Sequence, residues 1–264
     1  MMLLLSRFGF PFQLFMQYLK WNDSEMMNLK LYCIPYAGGS ANVYWNWKKR
    51  FEQSVLVEYN GHGSLFCEPT YQTIQQAAED IVQRYLAGNT EPYMLYGHSM
   101  GSLVAFEIGT LLQKNGYRKP EHMILSAMRP PHLLYRKKKY THLPKAEFME
   151  QIFTLGNTPR ELLEDEEMRD LFYEILFADM KLVESYQYDP ANEPLDIPIS
   201  VFAGTEDGRA PAEDLQEWER YTNMTFSLET FTGNHFFAFQ ESAMEAVCTA
   251  IKRRMEQCNG ISAG

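Results

Sequence analysis

Gly97-His98-Ser99-Met100-Gly101 sets a hydroxyl between two glycines at the end of one apolar run and the start of another. Residues 93–96 (YMLY) read as a strand leading in, and residues 103–112 as a helix leading out. A serine raised on such a sharp strand-to-helix turn is presented as a nucleophile, and the turn tolerates side chains at neither flanking glycine. The Met100 N–H then opens a helix, where it can donate to a developing oxyanion. A serine hydroxyl is a weak nucleophile at neutral pH, so Ser99 needs a base, and the base needs an acid to orient it.

Where such an elbow leads a strand into a helix, the acid and then the base follow later in the chain. The sequence has six histidines. His98 is inside the elbow, and His62, His122, His132 and His142 come in the wrong order. His235, in FTGNHFF, is the one that follows a late acid. The loop after the strand predicted over 197–204 carries Glu206 and Asp207. Asp207 is preferred because a short carboxylate at a strand-end turn can reach the imidazole; Glu206 is the second choice. Asp214 reads as a solvated acid at a helix start. The second oxyanion donor is expected from Pro35-Tyr36-Ala37-Gly38-Gly39-Ser40, with the Ala37 N–H favoured. No G-K-[ST] follows that loop, which argues against phosphate cradling.

These residues need a scaffold. Strands are predicted over 29–35, 54–59, 92–96, 122–126, 197–204 and 224–232, with helices over 43–51, 73–86, 99–114, 212–221 and 242–255. Strand-helix alternation of this kind implies an α/β fold with a mostly parallel sheet covered by helices on both faces. Residues 129–189 interrupt the rhythm with short helical patterns and no convincing strand. About sixty residues are few for a domain that folds alone, so they read as a helical insertion within a single domain over 29–264.

The net charge of −10 argues against nucleic acid or an anionic membrane as general partner, since both need a basic footprint. Charge is concentrated in the insertion: residues 136–139 are RKKK, and residues 161–170 hold six acids and one Arg. Four scattered cysteines form no C-x-x-C pair, so neither zinc nor a disulfide framework is expected, and a reducing cytoplasm is the natural setting. Residues 1–28 open with an apolar, aromatic stretch over 1–21 that Arg7 and Pro11 interrupt; its uncharged part, 8–19, is too short for a span, and they carry no cleavage signature. They are expected to be a weakly ordered extension, or an artefact of an upstream start.

LYCIPYAGGSANVYW, YNGHG, EPYMLYGHSMGSLVAFEI, LSAMRPPH, VFAGTED and FTGNHFF occur in this order over about residues 29–256. Together they resemble the type II thioesterases of nonribosomal peptide and polyketide synthesis, of surfactin type, within the α/β-hydrolase superfamily. The mammalian medium-chain acyl-carrier thioesterase is similar. One departure is Asn60, where the family has Pro. The resemblance implies a Ser99–His235–Asp207 triad with Ala37 and Met100 as oxyanion donors, and no metal or other cofactor. It implies a cytoplasmic monomer that hydrolyses acyl groups from the phosphopantetheine arm of acyl or peptidyl carrier proteins and so edits stalled synthetases. The insertion becomes a lid. Tyr36, His98, Phe236, Leu133, Phe153 and Phe172 are then expected at the substrate or lid surface, with further apolar lid residues such as Leu171 and Ile175 lining the acyl tunnel. Arg136, Lys137, Lys138 and Lys139 are expected at the carrier protein. The alternatives are a medium-chain fatty acyl hydrolase, a small-molecule esterase on the same fold, and a non-catalytic carrier-binding module.

Overall fold

Continuous apolar runs become the centre of a sheet. The computed structural model describes residues 29–136, 138–154 and 165–261. The predicted extension 1–28 and Lys137 lie outside them. Six strands, β1 (Lys30–Ile34), β2 (Ser54–Leu56), β3 (Tyr93–His98), β4 (His122–Ser126), β5 (Ile199–Gly204) and β6 (Phe226–Phe231), pair in the order β2-β1-β3-β4-β5-β6. Every neighbouring pair is parallel. β3 and β5 are buried at all positions, as strands covered on both faces must be. The edge strand β6 is buried only at Phe231.

The helices are α1 (Trp45–Lys48), α2 (Ile74–Ile81), α3 (Met100–Lys114), α4 (Lys145–Thr154), α5 (Glu166–Ser185), α6 (Ala212–Leu215) and α7 (Glu241–Ile261). On one face of the sheet α2 and α3 bury Ile74, Ile81, Leu103, Val104 and Phe106 together with Trp218. On the other, Tyr44, Trp47 and Phe51 pack with Val247 and Ile251 of α7. The side chain of Thr73 caps α2 by accepting from the Gln76 N–H at 3.0 Å.

Several boundaries differ from the predicted ones. β2 stops at Leu56 because its partner β1 is ending: Val57 N–H makes a last bond to the Cys33 carbonyl, and Glu58 N–H turns away to the Tyr85 hydroxyl. The helix predicted over 73–86 closes with a π turn at Val82–Leu86, and that predicted over 212–221 is one α turn followed by a 3-10 segment, Gln216–Tyr221. Among its described residues the insertion has no strand; it comprises a 3-10 segment (Pro131–Arg136), α4 and α5.

Strand order places the site. β1 lies between β2 and β3, so the connections after β1 and after β3 leave in opposite directions. A crevice opens at the carboxyl ends of those two strands. Residues 35–40 and Ser99 flank it.

Candidate active site

Ser99 adopts φ 51° and ψ −118°, a conformation non-glycine residues seldom hold. Close packing enforces it. A Cβ on Gly97 would meet the Gly101 carbonyl oxygen at 2.1 Å, and a Cβ on Gly101 would meet that of Ile34 at 2.2 Å. The helix thus starts in backbone contact with both β3 and the end of β1. Hydrogen bonds fix the turn from β4: Ser99 N–H donates to the Ser126 carbonyl at 2.8 Å, and Ser126 N–H to Ser102 Oγ at 2.9 Å.

The structure brings Ser99, His235 and Asp207 together. Ser99 Oγ lies 3.0 Å from His235 Nε2, and His235 Nδ1 lies 2.7 Å from Asp207 Oδ2. All three residues are buried. A carboxylate can only accept, so Nδ1 carries the proton and Nε2 is left to take the one on Ser99. Burial pushes the Asp207 carboxyl up, but His235 and the Arg209 N–H more than offset this and leave it below the usual carboxylate range. Its second oxygen accepts from the Arg209 N–H at 3.0 Å and the Ala210 N–H at 3.3 Å. Glu206, the second choice, is exposed. The loops that carry Asp207 and His235 are tied directly, with Glu206 N–H donating to the Gly233 carbonyl at 2.9 Å.

Ala37 and Met100 flank the same crevice. Met100 is the first residue of α3, whose opening amides have no acceptor within the helix. Ala37 N–H has no protein acceptor among the described residues. The Tyr36 carbonyl on the other side of that peptide bond accepts from Gly39 N–H at 2.9 Å, which turns the Ala37 N–H the opposite way. The arrangement can hold a tetrahedral oxyanion formed on Ser99.

The remaining expected residues divide. Tyr36 and Phe236 are half-buried beside the triad, their ring centroids 5.1 Å apart, and Phe236 lies 5.2 Å from the His235 ring. His98 corrects the expectation of a substrate-facing residue. It is fully buried, with Nε2 at 2.8 Å from the His235 carbonyl and Nδ1 at 2.9 Å from Ser126 Oγ. The carbonyl must accept, so Nε2 is protonated and Nδ1 accepts from the serine. Burial first, then nearby His235, pushes its pKa down to about 3, so the ring is neutral. His98 holds the backbone of His235 from beneath.

In the insertion, Phe153 and Phe172 pack into a cluster with Phe148, Ile152 and Leu176 that reaches Ala37, while Leu133 is buried. Leu171 and Ile175 instead line an open groove of about 390 Å³ between α5 and the loop carrying Gly61, Phe66 and Tyr71. Asp214 is another correction: its side chain is 12% exposed and binds Arg129 and Arg136, each at 2.6 Å. Arg136 is therefore committed to the domain. Lys138 reaches Gln151 Oε1 at 2.7 Å, and Lys139 is exposed. No helix among the described residues is long and apolar enough to cross a membrane.

A parallel sheet carrying a strained serine at the carboxyl end of its third strand, with an acid and a histidine on later loops, is the α/β-hydrolase architecture. The chain matches the Thioesterase domain family over residues 29–255 and belongs to it. It is 29% identical over 242 residues to gramicidin S biosynthesis protein GrsT of Aneurinibacillus migulanus, covering 88% of this chain and 94% of that one. It is 31% identical over 218 residues to thioesterase PikA5 of Streptomyces venezuelae, covering 79% and 75%. Among solved structures it resembles YbtT, the type II thioesterase from the yersiniabactin NRPS/PKS pathway, with a TM-score of 0.78, 28% identity, and coverage of 88% and 94%.

Proposed function

We propose that the protein is a type II thioesterase that hydrolyses acyl or aminoacyl thioesters from the phosphopantetheine arm of carrier proteins and thereby edits a nonribosomal peptide or polyketide synthetase. The observation that carries this is the Ser99–His235–Asp207 chain on a glycine-walled elbow, in a member of the Thioesterase domain family. Ser99 Oγ attacks the thioester carbonyl carbon while His235 Nε2 takes its proton. The oxyanion accepts from the Ala37 and Met100 amides. As the tetrahedral intermediate collapses, the C–S bond breaks and His235 returns the proton to the departing thiol. A water, deprotonated by His235, then attacks the acyl-enzyme, and the acid leaves as Ser99 regains its proton. Asp207 stays ionised throughout and stabilises the imidazolium. These steps use side chains and backbone amides alone and call on no cofactor.

The deciding experiment loads carrier proteins with acetyl and with aminoacyl groups and measures release of free acid. The reading expects release from both, at a higher kcat/KM than for a free small-molecule ester. No release from either, or preference for the free ester, overturns it. Exclusive action on medium-chain acyl carriers would favour the fatty acyl hydrolase.

The insertion is proposed as a lid and the basic run as the carrier contact. Arg136 and Lys138 have partners in the fold and are left in place, so the variant is built on the other two residues of the run, Lys137 and Lys139. Replacing both by Ala is expected to lower kcat/KM for carrier-bound substrate about threefold to tenfold, on the scale of one or two exposed ionic contacts. Hydrolysis of a small thioester should not change. Equal losses on both substrates would remove the carrier contact from the proposal.

A further inference from the structure

Away from the triad, His62 Nε2 and Asp179 Oδ2 meet at 2.9 Å, with side chains 2% and 4% exposed. Asp179 is on α5, and His62 is in the loop after β2. The same Asp179 oxygen accepts from Gly38 N–H at 2.7 Å. One buried oxygen thus joins the insertion, the loop after β2 and the loop that carries Ala37.

The bonding assigns the charges. His62 Nδ1 lies 3.0 Å from the Asn60 carbonyl, which can only accept, and Nε2 faces a carboxylate. Both nitrogens therefore donate, and the ring is an imidazolium. Burial opposes that charge, but Asp179, the Asn60 carbonyl and Glu58 hold the His62 pKa above its ordinary value. Glu58 turns its other contacts toward the Ala41 and Ser64 amides, and the Tyr59 ring packs edge-on against His62. A carboxylate buried to this degree needs both its cation and its N–H donor.

The consequence falls on Ala37. Its two flanking peptide planes belong to one Tyr36–Gly39 turn: Gly39 N–H bonds the Tyr36 carbonyl across it, and Asp179 holds the Ala37–Gly38 peptide at its centre. Only the second restraint comes from the insertion. Gly38 has φ +77°, and a Cβ there would touch Leu176 of α5 at 3.0 Å, so the helix sits directly on the loop.

We propose that Asp179 is a positioning residue: bridged to the His62 cation, it orients the Gly38 peptide and with it the Ala37 donor, so that seating α5 and assembling the oxyanion hole are one event. This rests on Ala37 being an oxyanion donor. An α5 that lifts off the domain takes the Asp179 carboxylate with it and leaves the Gly38 amide unheld. Hydrolytic competence is thereby tied to the closed insertion.

The test uses the full chain with Asp179→Ala, Asp179→Asn and His62→Gln. For a small acyl thioester, Asp179→Ala is expected to lower kcat about tenfold to a hundredfold, the scale of a misplaced or lost oxyanion donor, with KM nearly unchanged. Asp179→Asn keeps an oxygen for Gly38 N–H and should lose less, and His62→Gln should fall between the two. Amide hydrogen exchange without substrate should quicken in both residues 35–40 and α5 in Asp179→Ala. A pair that served stability alone would lower the melting temperature and leave kcat in place. An Asp179→Ala kcat within about twofold of wild type, or a rise in KM at constant kcat, overturns the proposal. If Asp179→Ala does not fold, the ranking of Asp179→Asn and His62→Gln against wild type decides. If wild type itself hydrolyses no thioester, the functional reading fails, and the exchange arm still decides the coupling: unchanged exchange at residues 35–40 refutes it.

Discussion

Ser99→Ala and His235→Ala are each expected to lower kcat by about 10⁴-fold or more, and the double variant no further. The reason is that the two groups act as one. Ser99 Oγ reaches Nε2 at 3.0 Å, and neither half generates an alkoxide-like nucleophile without the other. Removing the hydroxyl leaves a base with nothing to activate; removing the imidazole leaves a hydroxyl whose proton has no acceptor. What survives in either case is binding plus the Ala37 and Met100 amides acting on an attacking water, so the residual rates should coincide. Single-turnover release from a loaded carrier protein measures this. Asp207 differs in degree. Asp207→Asn preserves the packing but presents an amide to Nδ1, favours the wrong tautomer, and should cost up to about 10⁴-fold. If the double variant were slower than either single by the product of the two losses, Ser99 and His235 would be acting on separate steps and the triad reading would fall.

The elbow was legible because its constraints are local. Five residues, a leading apolar run and a following helix suffice, and each glycine answers to a backbone contact within the same unit or with the neighbouring strand. The placement of His235 beside Ser99 was legible by order: the expected histidine comes from a loop after a late strand, and one met that condition. That Asp207 and not Glu206 meets the His235 ring was legible from reach, and the structure turns Glu206 outward. The parallel sheet followed from strand-helix alternation, since parallel neighbours need a crossover long enough to hold a helix.

Long-range polar pairs were not legible. Asp214 reads as a helix-start acid, yet its partners Arg129 and Arg136 come from the insertion, 85 and 78 residues earlier. Nothing in the local pattern announces that. His98 was expected at the substrate or lid surface, but it is the last residue of β3 and its ring is buried beneath His235, bonded to that residue's carbonyl. Asp179 did leave a signal. Leu176, Asp179, Met180 and Val183 are spaced as one helical stripe, and all four are buried. A lone acid on an apolar stripe calls for a buried cation and a donor, and His62, set aside as being in the wrong chain order for catalysis, is that cation.

Gly101→Ala is expected to abolish the native elbow, with a loss of stability above about 4 kcal/mol, more than most single substitutions cost. The added methyl carbon would stand 2.2 Å from the Ile34 carbonyl oxygen and 2.7 Å from that of Pro35. An overpacked side chain usually costs about 1–3 kcal/mol, because neighbouring side chains can change rotamer. Here the obstacle is backbone at the end of β1, which cannot yield without moving the loop that carries Ala37. The alternative is for α3 to back away from the sheet, which opens the cluster around Leu103, Val104 and Phe106. Either movement also displaces the Met100 amide from Ser99. Gly208→Ala is the control: it lies in the loop just after Asp207, a Cβ there meets nothing within 4 Å, and stability should stay within about 0.5 kcal/mol of wild type. Denaturation midpoints of the two variants, read with acyl release, separate the effects. A Gly101→Ala protein with a wild-type midpoint would mean that α3 does not start in contact with β1, and the geometry assigned to the elbow would be wrong.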